Sequence, residues 1–191
     1  MKRTEGGEEG WHGSGAYGAV ERGYTLPARI LHWLTAALVL PQIPLGLLIA
    51  NVQAGDFLYN LHKSVGVVIL PVVVVRLIYR LAHPAPPLPQ DIPFAQRCAA
   101  HTVHWTLYAL LLIQPIVGWI ATSAFPAPVP VFGLFELPPI WPADRPLSDR
   151  LFAVHRGIGI ALAVLVCGHI AAALHHHFMR RDRVLMRMVA G

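Results

Sequence analysis

Residues 151–178 read LFAVHRGIGIALAVLVCGHIAAALHHHF. The run is apolar enough, and longer than the ~20 residues needed, to cross the hydrocarbon core of a bilayer as a helix. Two histidines interrupt it, His155 and His169, fourteen residues apart. At about 3.6 residues per turn that interval is nearly four whole turns, so both rings project from one face, about 21 Å apart along the axis. One face of one membrane helix therefore presents two sites in a stack, and each needs a further group from a neighbouring helix.

Three more stretches have the same character: roughly Ile30 to Asn51, Phe57 to Leu81 and Phe94 to Ala124, with the fourth running from Leu151 to His177. The 191 residues are 55% apolar and 13% charged, with a mean hydropathy of +0.52. This excludes an ordinary soluble domain. The fold expected is an all-α membrane protein, a four-transmembrane-helix bundle, as one domain over residues 25–185. It is flanked by a tail (1–24) expected to be disordered and a C-terminal tail (186–191). The N-terminal tail has no apolar segment of the signal-peptide type. No solenoid-type repeat is visible.

Basic residues set the orientation, because cytoplasmic connections are enriched in Lys and Arg. The N-terminal tail with Arg29, the second connection with Arg76, Arg80 and Arg97, and the C-terminus hold eleven of the fifteen Lys and Arg residues. Both termini are expected in the cytoplasm. The pI of 9.7 follows from this topology, so no nucleic-acid partner is needed to explain it.

The second connection, with Pro84, Pro86, Pro87, Pro89 and Pro93, cannot continue a helix. The third is longer and rich in proline, yet it carries Phe132, Phe135, Leu137, Ile140 and Trp141, so it is expected to lie over the outer mouth of the bundle. Ser148 or Asp149 is the expected N-cap of the last helix, which would put His155 in the second turn.

Depth then pairs the histidines. Helix one starts inside with His32, helix two returns from outside with His62, and helix four runs parallel to helix two. His32 is thus level with His169 near the inner surface, and His62 with His155 near the outer one. Two imidazoles from different helices, on opposite faces of one macrocycle, are what a b-type haem requires. Gly66, Gly157, Gly159 and Gly168 beside them would let a flat group approach the backbone. A single zinc site is excluded for all four, since its ligands must converge within about 2.1 Å of one ion. Cys98 and Cys167 form no Cys-x-x-Cys-His motif, so haem would be held non-covalently, and both are expected as small buried hydrophobes.

The stretches RILHWLTAALVL (29–40), LHKSVGVVILPVVVVRLIYRL (61–81), AHTVHWTLYALLLIQPIVGW (100–119) and VHRGIGIALAVLVCGHIAAALHHHF (154–178) resemble the bacterial cytochrome b561 family over about residues 22–188. That resemblance implies two haem b groups held between helices one, two and four by the pairs His32/His169 and His62/His155. It implies residence in the bacterial inner membrane and electron transfer to ubiquinone. In some members superoxide is the outer donor. Lys63, Arg150 and Arg156 are candidates for a positive outer entrance to such an anion, with haem propionates or lipid headgroups as the competing assignment. His101 and His104, three residues apart, are candidates for a hydrogen-bonding role at a quinone or haem edge. His175, His176 and His177 read as a snorkelling basic cluster. Trp33, Trp105 and Trp119 fit an interfacial aromatic belt, with Trp33 also beside a ligand.

Two other functions fit the residues. One is a haem-b membrane-anchor subunit fed by a soluble redox subunit of a dehydrogenase or hydrogenase. The other is a haem-free helical transporter or assembly factor. Only the presence or absence of haem absorption separates the second from the rest.

Overall fold

A computed structural model describes residues 23–52, 55–87 and 92–191. The expected disordered tail falls almost entirely outside them. Four long apolar helices dominate: α1 (Leu26–Asn51), α2 (Asp56–Ala82), α3 (Phe94–Ala124) and α4 (Arg145–His175). Each has the length and hydropathy of a membrane span. They pack in a ring in which α1 touches α2 and α4, and α3 touches α2 and α4. Successive helices run antiparallel, as short connections demand. Most of their apolar surface points outward, as lipid solvation allows.

The interior is thin. Its centre is a layer of Val39, Ile69, Val73, Leu111 and Leu162, at least one from every helix. Pro41 and Pro44 in α1, Pro71 in α2 and Pro115 in α3 lie inside helices. A missing backbone donor is tolerated there because neighbouring helices re-satisfy the freed carbonyls.

Helix α4 starts earlier than expected. Its N-cap is Asp144, whose carboxylate accepts from the Leu147 N–H at 3.0 Å, and Pro146 occupies the first turn. Proline is favoured there because the N–H it lacks would have no helical partner. Ser148 is thus not a cap. It is fully buried inside the helix, its hydroxyl donating to the Ala121 carbonyl at 3.0 Å. His155 consequently sits in the third turn rather than the second.

The third connection does cover one end of the bundle, and it contains a two-stranded antiparallel hairpin, β1 (Val129–Val131) and β2 (Phe135–Leu137). Glycine suits its turn, where Gly133 has φ of 71°. Ser64 of α2 fastens the hairpin: its hydroxyl donates to the Pro130 carbonyl and accepts from the Phe132 N–H. Trp119 donates to Pro138 and Ser123 accepts from Ile140, which tie down the following residues.

At the opposite end α4 runs into a π-helical turn (His176–Arg180), and the chain reverses at Arg181 with φ of 55°. A short helix α5 (Met186–Val189) then returns to the start of α1. The Tyr24 N–H donates to the Arg187 carbonyl, Trp33 Nε1 to Met188, and Arg29 to Val189. Arg187 is buried and donates to the Pro87 carbonyl at 2.6 Å. The expected C-terminal tail is therefore a strap across this end.

Candidate functional site

The histidines expected to pair stand together. At the hairpin end, the His62 and His155 rings have centroids 6.1 Å apart, across the ring from α2 to α4. At the α5 end, His32 of α1 and His169 of α4 are 6.3 Å apart. Two imidazoles bound to opposite sides of one first-row metal, each at about 2 Å, bring their ring centres to about 6 Å. Direct ring packing has no need of that spacing at both ends. Among the described residues no three His, Cys, Asp or Glu side chains converge as a metal-ion site.

The pair at the hairpin end is held by matching parts. Gln42 Nε2 of α1 donates to the His62 carbonyl at 2.8 Å, and Gln114 Nε2 of α3 donates to the His155 carbonyl at 2.8 Å. One turn beyond each glutamine stands a glycine against the same imidazole. A Cβ on Gly46 would lie 2.9 Å from His62 Cε1, and one on Gly118 2.9 Å from His155 Cε1. His155 Nδ1 donates to the Gln114 carbonyl at 3.1 Å, which leaves the lone pair on Nε2, the atom an iron ligand needs. His62 Nδ1 is buried with no partner.

These glutamines and glycines were missed in the sequence, although a signal was there. His32-Trp33, Gln42 and Gly46 in α1 recur at identical spacing as His104-Trp105, Gln114 and Gly118 in α3. Likewise His62, Gly66, Ile69 and Arg76 in α2 correspond to His155, Gly159, Leu162 and His169 in α4. The core layer obeys the same match, Val39 with Leu111 and Ile69 with Leu162. The bundle is thus two equivalent helical hairpins facing each other. At Gly66 and Gly159 a Cβ would make only ordinary contact with the glutamine amides, at 3.6 and 3.4 Å. Gly157 has open space where a Cβ would lie, and so does Gly168.

At the α5 end, Arg76 Nη2 donates to His32 Nδ1 at 2.8 Å and its guanidinium lies 5.2 Å from the Tyr108 ring centre. His104 and His101 separate. His104 stands 5.2 Å from the His169 ring, whereas His101 packs near Trp105 and lines an open groove with Phe94, Arg97, Cys98 and Thr102. Trp33 is edge-on to His32.

Several expectations need correction. Cys98 and Cys167 are free and exposed rather than buried, because the helix faces carrying them point out of the bundle. His176 does not snorkel: its ring pairs with Asp182, which also accepts from Arg180. As for the three entrance candidates, Lys63 Nζ donates to the Pro128 carbonyl at 2.8 Å and Arg156 to Asn51 Oδ1, at the end of α1, at 3.3 Å, and each keeps further donors. Arg150 is exposed.

The pattern described as prokaryotic cytochrome b561 matches residues 23–191, which is nearly all of the bundle and its strap. The chain belongs to this family. It is 33% identical to cytochrome b561 homolog 2 of Escherichia coli (strain K12), over 87% of this chain and 90% of that protein. It is 32% identical to the probable superoxide oxidase CybB of Yersinia pestis, over 68% of this chain and 73% of that one. Cytochrome b561 homolog 1 of Escherichia coli (strain K12) is 26% identical over 83% of this chain. A prokaryotic cytochrome b561 is a membrane electron-transfer protein that binds b-type haem. The paired imidazoles, the glycines pressed against them and the partnerless His62 Nδ1 fit that group.

Proposed function

We propose that this cytochrome b561 moves single electrons across the inner membrane through two b-type haems, held by His62/His155 at one end and His32/His169 at the other. The observation that carries this reading is the recurrence of one imidazole spacing, about 6 Å between ring centres, at both ends of the bundle. When bound, haem supplies reversible one-electron chemistry at each pair. The protein's part is orientation and exclusion of water. Gly46, Gly118 and the Gln114 carbonyl border the rings at the hairpin end, while the Gln42 and Gln114 side chains hold the backbone that carries them. The layer of Val39, Ile69, Val73, Leu111 and Leu162 separates the two levels with side chains that carry no protons.

Of the twelve Lys and Arg among the described residues, eight sit in segments at the α5 end, which supports placing that end, with both termini, in the cytoplasm. The hairpin end then faces outward and receives the donor. Superoxide is the proposed donor, on the strength of the relative named as a probable superoxide oxidase. The balance is that two superoxide anions lose one electron each to become dioxygen, while one ubiquinone takes two electrons and two protons to become the quinol. Arg150 and Arg156 are both exposed at that end, and with the half-buried Lys63 they are the proposed entrance cations. His104, beside His169, is the better placed of the two quinone candidates.

Stopped-flow mixing of the purified, oxidised protein with superoxide should reduce haem within the burst, and added quinone should reoxidise it. Absence of a Soret band after haem-sufficient expression would dismiss the haem reading, and a Soret band indifferent to superoxide would dismiss the donor. His169→Ala should abolish one low-spin spectrum and keep the other; loss of both or of neither would break the pairing.

A further inference from the structure

Equivalence of the two helical hairpins makes the α5 end asymmetric at one residue. The match that turns His155 into His62 turns His169 into Arg76, and the one that turns His104 into His32 completes the level. At the hairpin end the ligand pair maps onto itself, giving one site. At the α5 end the pair His32/His169 maps onto His104/Arg76, and the arginine is where a second imidazole pair fails. A guanidinium cannot ligate iron, since it has five donors and no acceptor.

Arg76 is a cation in a spanning helix, and such a charge is costly unless paired. The neighbours that face it are His32, Tyr108, His104, His169, Tyr24 and Arg80. None is a carboxylic acid, the Tyr108 hydroxyl being its hydrogen-bond partner, and among the described residues no carboxylate bridges to it. Its contact with His32 carries a second message. A guanidinium only donates, so His32 Nδ1 must accept and the ring proton must sit on Nε2. An imidazole bound to iron through Nε2 carries its proton on Nδ1 instead, and two donors cannot share a hydrogen bond. The Arg76–His32 contact and ligation by His32 therefore exclude one another.

We propose that Arg76 is the seat of an anionic oxygen group at the His32/His169 level, which the guanidinium takes up in exchange for His32 Nδ1. This rests on the two-haem reading and adds an anion-binding residue to it. The shared chemistry is a planar pair of acceptor oxygens or a single reduced oxygen. A carboxylate of the haem itself supplies the first, and the headgroup of a reduced quinone supplies the second.

The test compares wild-type holoprotein with Arg76→Gln and Arg76→Lys. Three quantities are read: haem release to apomyoglobin, the midpoint potential of each station, and the response of that potential to decylubiquinone. Arg76→Gln should lower the potential of the α5-end station alone, since a lost cation disfavours the added electron, and release its haem about tenfold faster, as befits a lost charge-assisted hydrogen bond. Arg76→Lys should restore the potential and only part of the retention, because its ammonium lacks the planar fork. If haem carries the anion, the redox infrared band of 13C-labelled haem carboxylates shifts in Arg76→Gln. If quinone carries it, that band stays and the decylubiquinone response is lost. Unchanged potential and release in Arg76→Gln, or the same carboxylate band and quinone response as wild type, would overturn the proposal. A wild-type protein lacking a bis-imidazole spectrum would instead strike at the haem reading beneath it.

Discussion

Gly118 and Gly46 show how a single absent atom sets the position of a reactive ring. A Cβ at either would come to 2.9 Å from an imidazole Cε1, closer than such contacts occur, so the ring would have to swing. Alanine is also a better helix former than glycine by roughly 0.5–1 kcal/mol. Gly118→Ala should accordingly keep or raise the melting temperature while lowering the haem content of the His62/His155 station. Pyridine haemochrome quantitation against thermal melting separates the two effects; full haem content in Gly118→Ala would refute the positioning role. His155 and His169 were legible from their spacing, and His32 and His62 from the topology that the basic residues set. The glycines that aim them were not, because a glycine in a membrane helix has no signature until the neighbour it admits is known.

Helix α4 illustrates how an element's start governs the depth of its residues. Pro146 suggested that the chain was still in a loop, yet a proline in the first turn costs a helix nothing. The start is fixed by Asp144, whose side chain takes up the Leu147 N–H. Asp144→Ala should cost about 1 kcal/mol. For a chain of this size that is a fall in melting temperature of roughly 2–4 °C, with the haem spectrum intact. A calorimetric melt of the detergent-solubilised protein reads it directly, and an unchanged melt would mean the cap contributes nothing. The spans themselves were readable because lipid demands one long apolar run from each. The hairpin was not, since strands of three residues leave no period to detect.

Across the whole molecule, the C-terminal segment closes the α5 end by bonding to the first turns of α1 and to the proline-rich connection. Its approach is set by Asp182. Partial burial works against ionisation of this carboxyl, but hydrogen bonds from His176, the Val184 N–H and Arg180 outweigh it and hold it below the usual carboxylate value. A depressed folded value means that the charged form favours the docked strap. The contribution is complete above the unfolded carboxyl pKa and is lost as pH falls through the folded one, from about pH 4 downward. Hydrogen-exchange protection over residues 182–190, taken relative to the intrinsic rate at each pH, should therefore fall on acidification through that window, and Asp182→Asn should be weakly protected at every pH. Exchange that ignores both changes would remove Asp182 from this role.

Composition and spacing by themselves determined that the chain spans a membrane four times and that four histidines face inward at two depths, because hydropathy and helical period are properties of one segment at a time. The tertiary structure decided what holds those rings. Gln42, Gln114, Gly46 and Gly118 act across helices, Arg76 meets His32 only once α1 and α2 are packed, and the strap covers one end only after the chain reverses at Arg181. Such contacts join residues far apart in the sequence, so no local pattern encodes them.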